Sequence, residues 1–303
     1  MTEGWLPEVD GHRVRWATYG AADAPPLLAL PPGPGTHLGD QVIGTLAALP
    51  WRVVTIDPRG TGRSTWGDLL AGNTTAALVD DLERLRQTLG IERWTVIGHL
   101  WGTVLALLYA QRYPQRCSGL VLNSVYLGEH AEVGWFFGGA GPMVPQTWDA
   151  VLATAPVPPD TDIATFWARW LAGAPADQKA VFCRRLMAYD IAICRFRPGQ
   201  APVLDAPEDA DHLRFFTLFL HYLSNRYFLE DGAIVSATDR VRHIPCRIVQ
   251  GRFDLASATR PAYRLASAWP EATFTLVDEA GCGYLHEPAH AAVMQALAGL
   301  HPG

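Results

Sequence analysis

One short stretch has the residue types and spacing of a reacting centre. The apolar run over 94 to 98 leads into Gly98-His99-Leu100-Trp101-Gly102, and a helix-forming segment follows. A strand, a tight turn flanked by glycines and a helix are together the setting of a nucleophile elbow, which lifts its central side chain above a sheet. Small residues at 98 and 102 let neighbouring backbone pass close. The central residue is Leu100, and an aliphatic tip cannot attack a carbonyl. His99, just before the centre, reads as a packed, hydrogen-bonded residue or as a group facing a ligand. His37 follows the turn Gly33-Pro34-Gly35 and reads as a residue of a pocket rim. That turn lacks the spacing of a dinucleotide fingerprint, and no metal-ligand pattern occurs, so neither cofactor nor metal is expected.

Such an elbow needs a sheet beneath it, and the chain supplies one. Short, nearly all-apolar runs at 26 to 31, 52 to 57, 94 to 98, 119 to 123, 246 to 251 and 273 to 278 predict strands buried on both faces. Amphipathic segments at 75 to 89, 102 to 113, 258 to 268 and 287 to 299 predict the helices that cover them, and Pro114 stops the second. Asp10-Gly11 predicts a hairpin turn between two short strands. Strand and helix in alternation specify an α/β fold with a mostly parallel sheet. The alternation breaks from 125 to 240, where an aromatic-rich helical insert with Pro/Gly-rich joints is expected to form a cap over an apolar pocket. The core is then 1 to 124 with 241 to 303.

With 303 residues, the chain is long enough for an ample core without disulfides. Lys and Arg total 24 against 30 Asp and Glu, a net charge of −6, and the cations are scattered, which argues against nucleic acid and anionic membranes as partners. No run is long enough to span a bilayer, and the first 30 residues do not read as a secretory leader. Five cysteines, widely spaced and without a C-x-x-C pair, fit a reduced compartment, so a cytoplasmic protein is expected. Oligomeric state is not readable.

Further motifs surround the elbow: Pro31-Pro32-Gly33-Pro34-Gly35, Asp57-Pro58-Arg59-Gly60-Thr61-Gly62-Arg63-Ser64, Asn73-Thr74-Thr75, Asp81 to Arg86, Tyr227-Phe228, His243-Ile244-Pro245 and Gly251-Arg252-Phe253-Asp254. Together with the elbow they resemble the proline iminopeptidase (prolyl aminopeptidase) family of the α/β-hydrolase fold, over nearly the whole chain. The resemblance implies a Ser-Asp-His triad. Asp254 matches the acid, Leu100 stands at the serine, and the histidine falls on either Cys282 or Tyr284, with His286 out of register. It also implies glutamates that bind a substrate amino group near Tyr189-Asp190 and Ser224-Asn225-Arg226-Tyr227. Asp190 keeps one acid, and Ser224 stands at the other.

What the resemblance leaves for chemistry is a backbone oxyanion hole from Gly33 and Trp101, since Pro31 and Pro32 have no N–H to donate, and a carboxylate at Asp254. The Gly33–Pro34 bond is a candidate for cis. Asp254, without a histidine to orient, is expected to act as a base, to be neutralised by Arg226 or Arg252, or to cap loop N–H groups. Trp135 and Tyr227 are expected to face a largely apolar small molecule, beside His37, His99, Leu100, Tyr189, Asp190, Ser224 and Arg226. The leading expectation is a non-hydrolytic, cofactor-free enzyme of specialised metabolism that catalyses elimination, cyclisation or isomerisation. The alternatives are a ligand-binding pseudoenzyme and a residual hydrolase that activates water without acylation.

Overall fold

A computed structural model describes residues 1–197, 204, 206, 211–283, 285 and 287–302. Ten strands are described: β1 (Thr2–Trp5), β2 (His12–Arg13), β3 (Arg15–Tyr19), β4 (Pro26–Ala29), β5 (Arg52–Asp57), β6 (Thr65–Trp66), β7 (Trp94–Leu100), β8 (Cys117–Val125), β9 (Cys246–Gly251) and β10 (Thr273–Val277). Eight form one sheet in the order β1-β3-β5-β4-β7-β8-β9-β10. The pairs from β5 to β10 are parallel, and β3 joins β5 and β1 antiparallel.

Why these runs make strands is visible in their burial. Along β4, Leu27 and Ala29 pack with one core, and Leu28 and Leu30 with the other, on the opposite face. Both faces are therefore apolar, and helices must cover both. On one side lie α1 (Asp40–Ala47) and α11 (Ala289–Ala298). On the other lie α2 (Thr75–Thr88), α3 (Trp101–Arg112) and α10 (Thr259–Ala268). Leu78, Leu82 and Leu85 of α2 form its buried stripe, and Thr74 caps its start by accepting from the Ala77 N–H. The Asp10-Gly11 turn is the tight hairpin its sequence predicts. Both residues have positive φ, 51° and 77°, as a type I′ turn requires, and Val9 and His12 exchange backbone hydrogen bonds across it.

Between β8 and β9 the described helices are α4 (His130–Gly134), α5 (Pro145–Thr154), α6 (Ile163–Gly173), α7 (Ala176–Cys194), α8 (Asp211–Ser224) and α9 (Ala233–Ser236). Aromatic rings knit them together: Trp148 packs against Trp167 and Tyr189, and Phe137 against Trp167 and Phe219. Among the described residues, no helix is long and apolar enough to cross a membrane.

The motif around Arg59 is structural. Its guanidinium donates to both carboxylate oxygens of Asp81, at 2.7 and 3.1 Å, to Asp10 at 2.9 Å and to the Gly72 carbonyl at 2.7 Å. Asn73 ties the same loop to α8, giving its amide to the Arg59 carbonyl and accepting from the Tyr222 hydroxyl at 2.7 Å.

The sheet places the site. The chain runs from β4 to β5 on one side, then crosses back over β4 to β7 on the other, so a crevice opens at the carboxyl ends of β4 and β7. The turn at 31 to 35 leaves β4 there, and the elbow leaves β7 there.

Candidate active site

Leu100 sits at the apex of the elbow with φ 49° and ψ −122°, a conformation that costs a non-glycine residue of order 1–3 kcal/mol. Packing holds it there. A Cβ on Gly98 would lie 2.4 Å from the Gly102 carbonyl oxygen, and one on Gly102 would lie 2.8 Å from that of Pro31, so both flanking positions admit only glycine. Thr103 completes the clamp. Its hydroxyl sits 2.7 Å from the Leu100 carbonyl and 3.0 Å from that of Tyr126, and accepts the Tyr126 N–H at 2.9 Å.

The two N–H groups expected to form an oxyanion hole are both occupied within the chain. Trp101 donates to the Pro32 carbonyl at 2.9 Å, and Gly33 to the Thr36 hydroxyl at 3.0 Å. The Gly33–Pro34 bond is not cis; among the described residues the cis bond is Glu287–Pro288. The reason is the turn type. Gly33 accepts from the Thr36 N–H at 3.2 Å and Gly35 has φ 84°, which makes a type II turn with Pro34 at its second position, where an ordinary trans proline fits.

Asp254 lies behind the cavity wall rather than in it. It is 3% exposed, accepts the Ser257 N–H at 2.8 Å, and has the Gln250 amide at 3.4 Å. Burial pushes its carboxyl up to about 6, against hydrogen bonds that pull it down. The loop-capping carboxylate is thus the arrangement found. Arg252 does not neutralise it, because its guanidinium pairs with Asp278 at 2.6 Å. Nor does Arg226, which faces another hollow.

Cys282 lies beside the elbow, with Sγ 3.7 Å from His99 Nε2, while His99 Nδ1 is 3.3 Å from the Asn123 carbonyl. Burial drives the imidazole down to about 4, so His99 is neutral at pH 7. Tyr284, the alternative to Cys282, lies outside the described residues, as does His286.

Leu100, His99 and Cys282 border a cavity of about 280 Å³ beneath α7 and α8. Of the side chains expected to face a ligand, His99, Leu100, Asp190 and Tyr227 line it. Tyr227 stacks on Trp101 with ring centroids 4.9 Å apart. It stands in a run of three residues with positive φ, 226 to 228, and its carbonyl accepts the Thr75 hydroxyl at 2.5 Å. Burial lifts the Asp190 carboxyl to about 7.

The other expected residues are elsewhere. Tyr189 is fully buried, and its hydroxyl donates to the Phe136 carbonyl. The Trp135 indole N–H donates to the Leu255 carbonyl at 2.8 Å. His37 points to solvent, and Ser224 and Arg226 border a separate hollow with His130 and Asp160. The physical reason is helical spacing: Ser224 closes α8, whereas Phe215 and Phe219, one turn apart, present the face that lines the cavity. The sequence reading missed those two rings, Phe136, and Cys194, which lies one turn beyond Asp190 on α7. An i, i+4 count from Asp190 would have found Cys194. Among the described residues, no group of three or more His, Cys, Asp and Glu could hold a metal ion.

Comparison with known proteins bears on what this site does. A family model described as alpha/beta hydrolase fold matches residues 25–281. The proline iminopeptidase of Neisseria gonorrhoeae is 31% identical over 307 residues, 99% of this chain and 96% of that protein. Probable proline iminopeptidases of Leptolyngbya boryana and Streptomyces coelicolor are 32% and 33% identical, over 97% and 92% of this chain and 91% and 88% of theirs. Among solved structures, carboxylesterases of Nitrososphaera gargenis give a TM-score of 0.65 at 17% identity, covering 98% of both chains. A proline iminopeptidase-related protein from Thermus thermophilus gives 0.57 at 23%, covering 100% of this chain and 99% of that one. The expected elimination, cyclisation or isomerisation is therefore corrected. Relatives matched over nearly the full chain are named as peptidases, which points to hydrolysis and away from that chemistry.

Proposed function

The chain belongs to the proline iminopeptidase family of the α/β-hydrolase fold, and from that premise we propose that it hydrolyses small, largely apolar amides or esters by direct attack of water, without an acyl-enzyme. The resemblance implies that Leu100 stands at the family's serine, and the side chain at the apex of the elbow carries no hydroxyl. The observation that carries the reading is Asp190, the carboxylate on a mostly apolar cavity wall that also carries Arg195, held near 7, where a general base works best at neutral pH. Water adds to the substrate carbonyl and gives its proton to Asp190. The tetrahedral species then expels the amine or alcohol, which takes that proton back, leaving the free acid. His99 is too weakly basic for this step, and Asp254 lies behind the wall. Because the Trp101 and Gly33 N–H groups are occupied, the developing oxyanion receives nothing from them, and turnover is slow.

Leu100 and the occupied N–H pair favour a second reading, a protein that binds the same ligands without turnover. Hydrolysis of prolyl-naphthylamide and p-nitrophenyl acetate separates the two. Under the first reading, Asp190→Asn lowers kcat about 100-fold or more, and Leu100→Ser alone restores no labelling by a fluorophosphonate. Saturable binding with no turnover establishes the second reading instead. A fluorophosphonate adduct on the unaltered protein refutes both.

A further inference from the structure

Two cysteines distant in sequence meet at the cavity. Cys194 ends α7 and Cys282 lies in the loop after β10; both line the cavity, close enough for each thiol to act on the other's proton affinity. The backbones on either side are docked as well. Arg197 donates to the Cys282 carbonyl at 3.2 Å, and a Cβ on Gly281 would come within 2.7 Å of the Phe196 carbonyl oxygen. The end of α7 and this loop therefore lie against each other along several residues, which leaves the sulfurs a short approach to bonding distance. The other three cysteines are buried elsewhere, Cys117 at the start of β8, Cys183 within α7 and Cys246 at the start of β9, and none lines the cavity.

We propose that Cys194 and Cys282 form a reversible disulfide that fastens α7, and with it the wall carrying Asp190, to the loop after β10. The oxidant is a low-molecular-weight disulfide. The Cys194 thiol, the less buried of the two, exchanges with it first, forming a mixed disulfide and releasing one small thiol, which carries away the proton. Cys282 then attacks the Cys194 sulfur and releases the second. Two protein thiols are oxidised, and one disulfide is reduced to two thiols.

The surroundings set the character of this bond. Each thiol acts on the other's proton affinity, lowering that of Cys194 and raising that of Cys282, and burial raises both, so each ends above its ordinary value. Neither is a ready thiolate, and bond formation is slow at neutral pH. The same burial gives the reduced pair no charged form to favour it, so the bond, once made, resists reduction as structural disulfides do. Slow formation and firm retention suit a lasting change of state better than a rapid peroxide sensor. This inference does not depend on the proposed hydrolysis.

The experiment incubates the full chain with bis(2-hydroxyethyl) disulfide at pH 8.5 and counts thiols by maleimide mass labelling after denaturation. Two of the five thiols should be lost, with a Cys194–Cys282 cross-linked peptide under non-reducing digestion. The melting temperature should rise by about 5 °C, and dithiothreitol should reverse both changes. Cys194→Ser and Cys194→Ala should each abolish the cross-link and the melting shift. Five thiols unchanged, a stable adduct on Cys194 with Cys282 still free, or a cross-link between any other pair would each overturn the proposal.

Discussion

Replacing Asp190 by Asn tests how the cavity treats charge. In the unfolded chain this carboxyl ionises near its ordinary value of 3.8, and in the folded protein burial lifts it to about 7. Below about pH 4 both states hold the proton, and the folded protein bears no penalty. Between about 4 and 7 the unfolded chain releases the proton while the folded one keeps it, so stability falls as pH rises, by about 1.4 kcal/mol per pH unit. Above 7 the loss levels off at about 4 kcal/mol, most of it accumulated by neutrality. Asn occupies the same volume and carries no charge at any pH. Its advantage over the parent should therefore grow by about 2–3 kcal/mol between pH 5 and pH 8. Urea unfolding of both proteins at the two pH values reads this difference directly, and Asp254 and Glu132, also raised by burial, cancel in the comparison. An advantage that stays constant with pH would show that Asp190 ionises as a solvated carboxylate. The general-base argument would fall with it.

Two further substitutions test how the site is held. Gly98→Ala places a methyl 2.4 Å from the Gly102 carbonyl and should lower stability by about 3 kcal/mol in chemical denaturation, whereas Gly134→Ala, with open space around its Cβ, should change it little. Arg59→Met strips the buried Asp81 of a bidentate partner and should cost about 3–5 kcal/mol, while Asp10→Ala, which removes the half-exposed partner of the same arginine, should cost no more than about 1 kcal/mol.

Much of the fold is legible in the sequence because parallel strands buried on both faces must be largely apolar, as Val53, Val54 and Ile56 make Arg52–Asp57 and Ile248 and Val249 make Cys246–Gly251. Trp94 to Gly102 is legible for a similar reason: few sequences other than a strand ending in a glycine-flanked turn suit that arrangement. The site is less legible, because its walls come from α7, α8 and the loop after β10, and no local pattern fixes which faces of those elements meet. Asp254 shows the limit. The sequence places it beside the elbow, but only the closure of the 254 to 257 loop onto its oxygens, with Gln250 alongside, turns it away from the cavity. The meeting of Cys194 and Cys282 at one cavity is likewise a product of docking, which wide spacing along the chain conceals.

The elbow separates two things that usually occur together. Its strained apex at Leu100 is held by the Gly98, Gly102 and Thr103 contacts, none of which involves the side chain of residue 100. The backbone geometry can therefore persist whatever that side chain is. What the elbow still does here is place Trp101, whose ring stacks on Tyr227 and packs edge-on against Tyr222. Tyr222 in turn donates to Asn73, and Asn73 holds the Arg59 loop. The turn thus anchors a line of contacts from the carboxyl end of β7 to α8, and α8 carries Phe215 and Phe219 into the cavity. A cavity built this way keeps its shape without a nucleophile at its floor. The chemistry it can support is then set by the side chains that reach its walls, and among those Asp190 is the carboxylate.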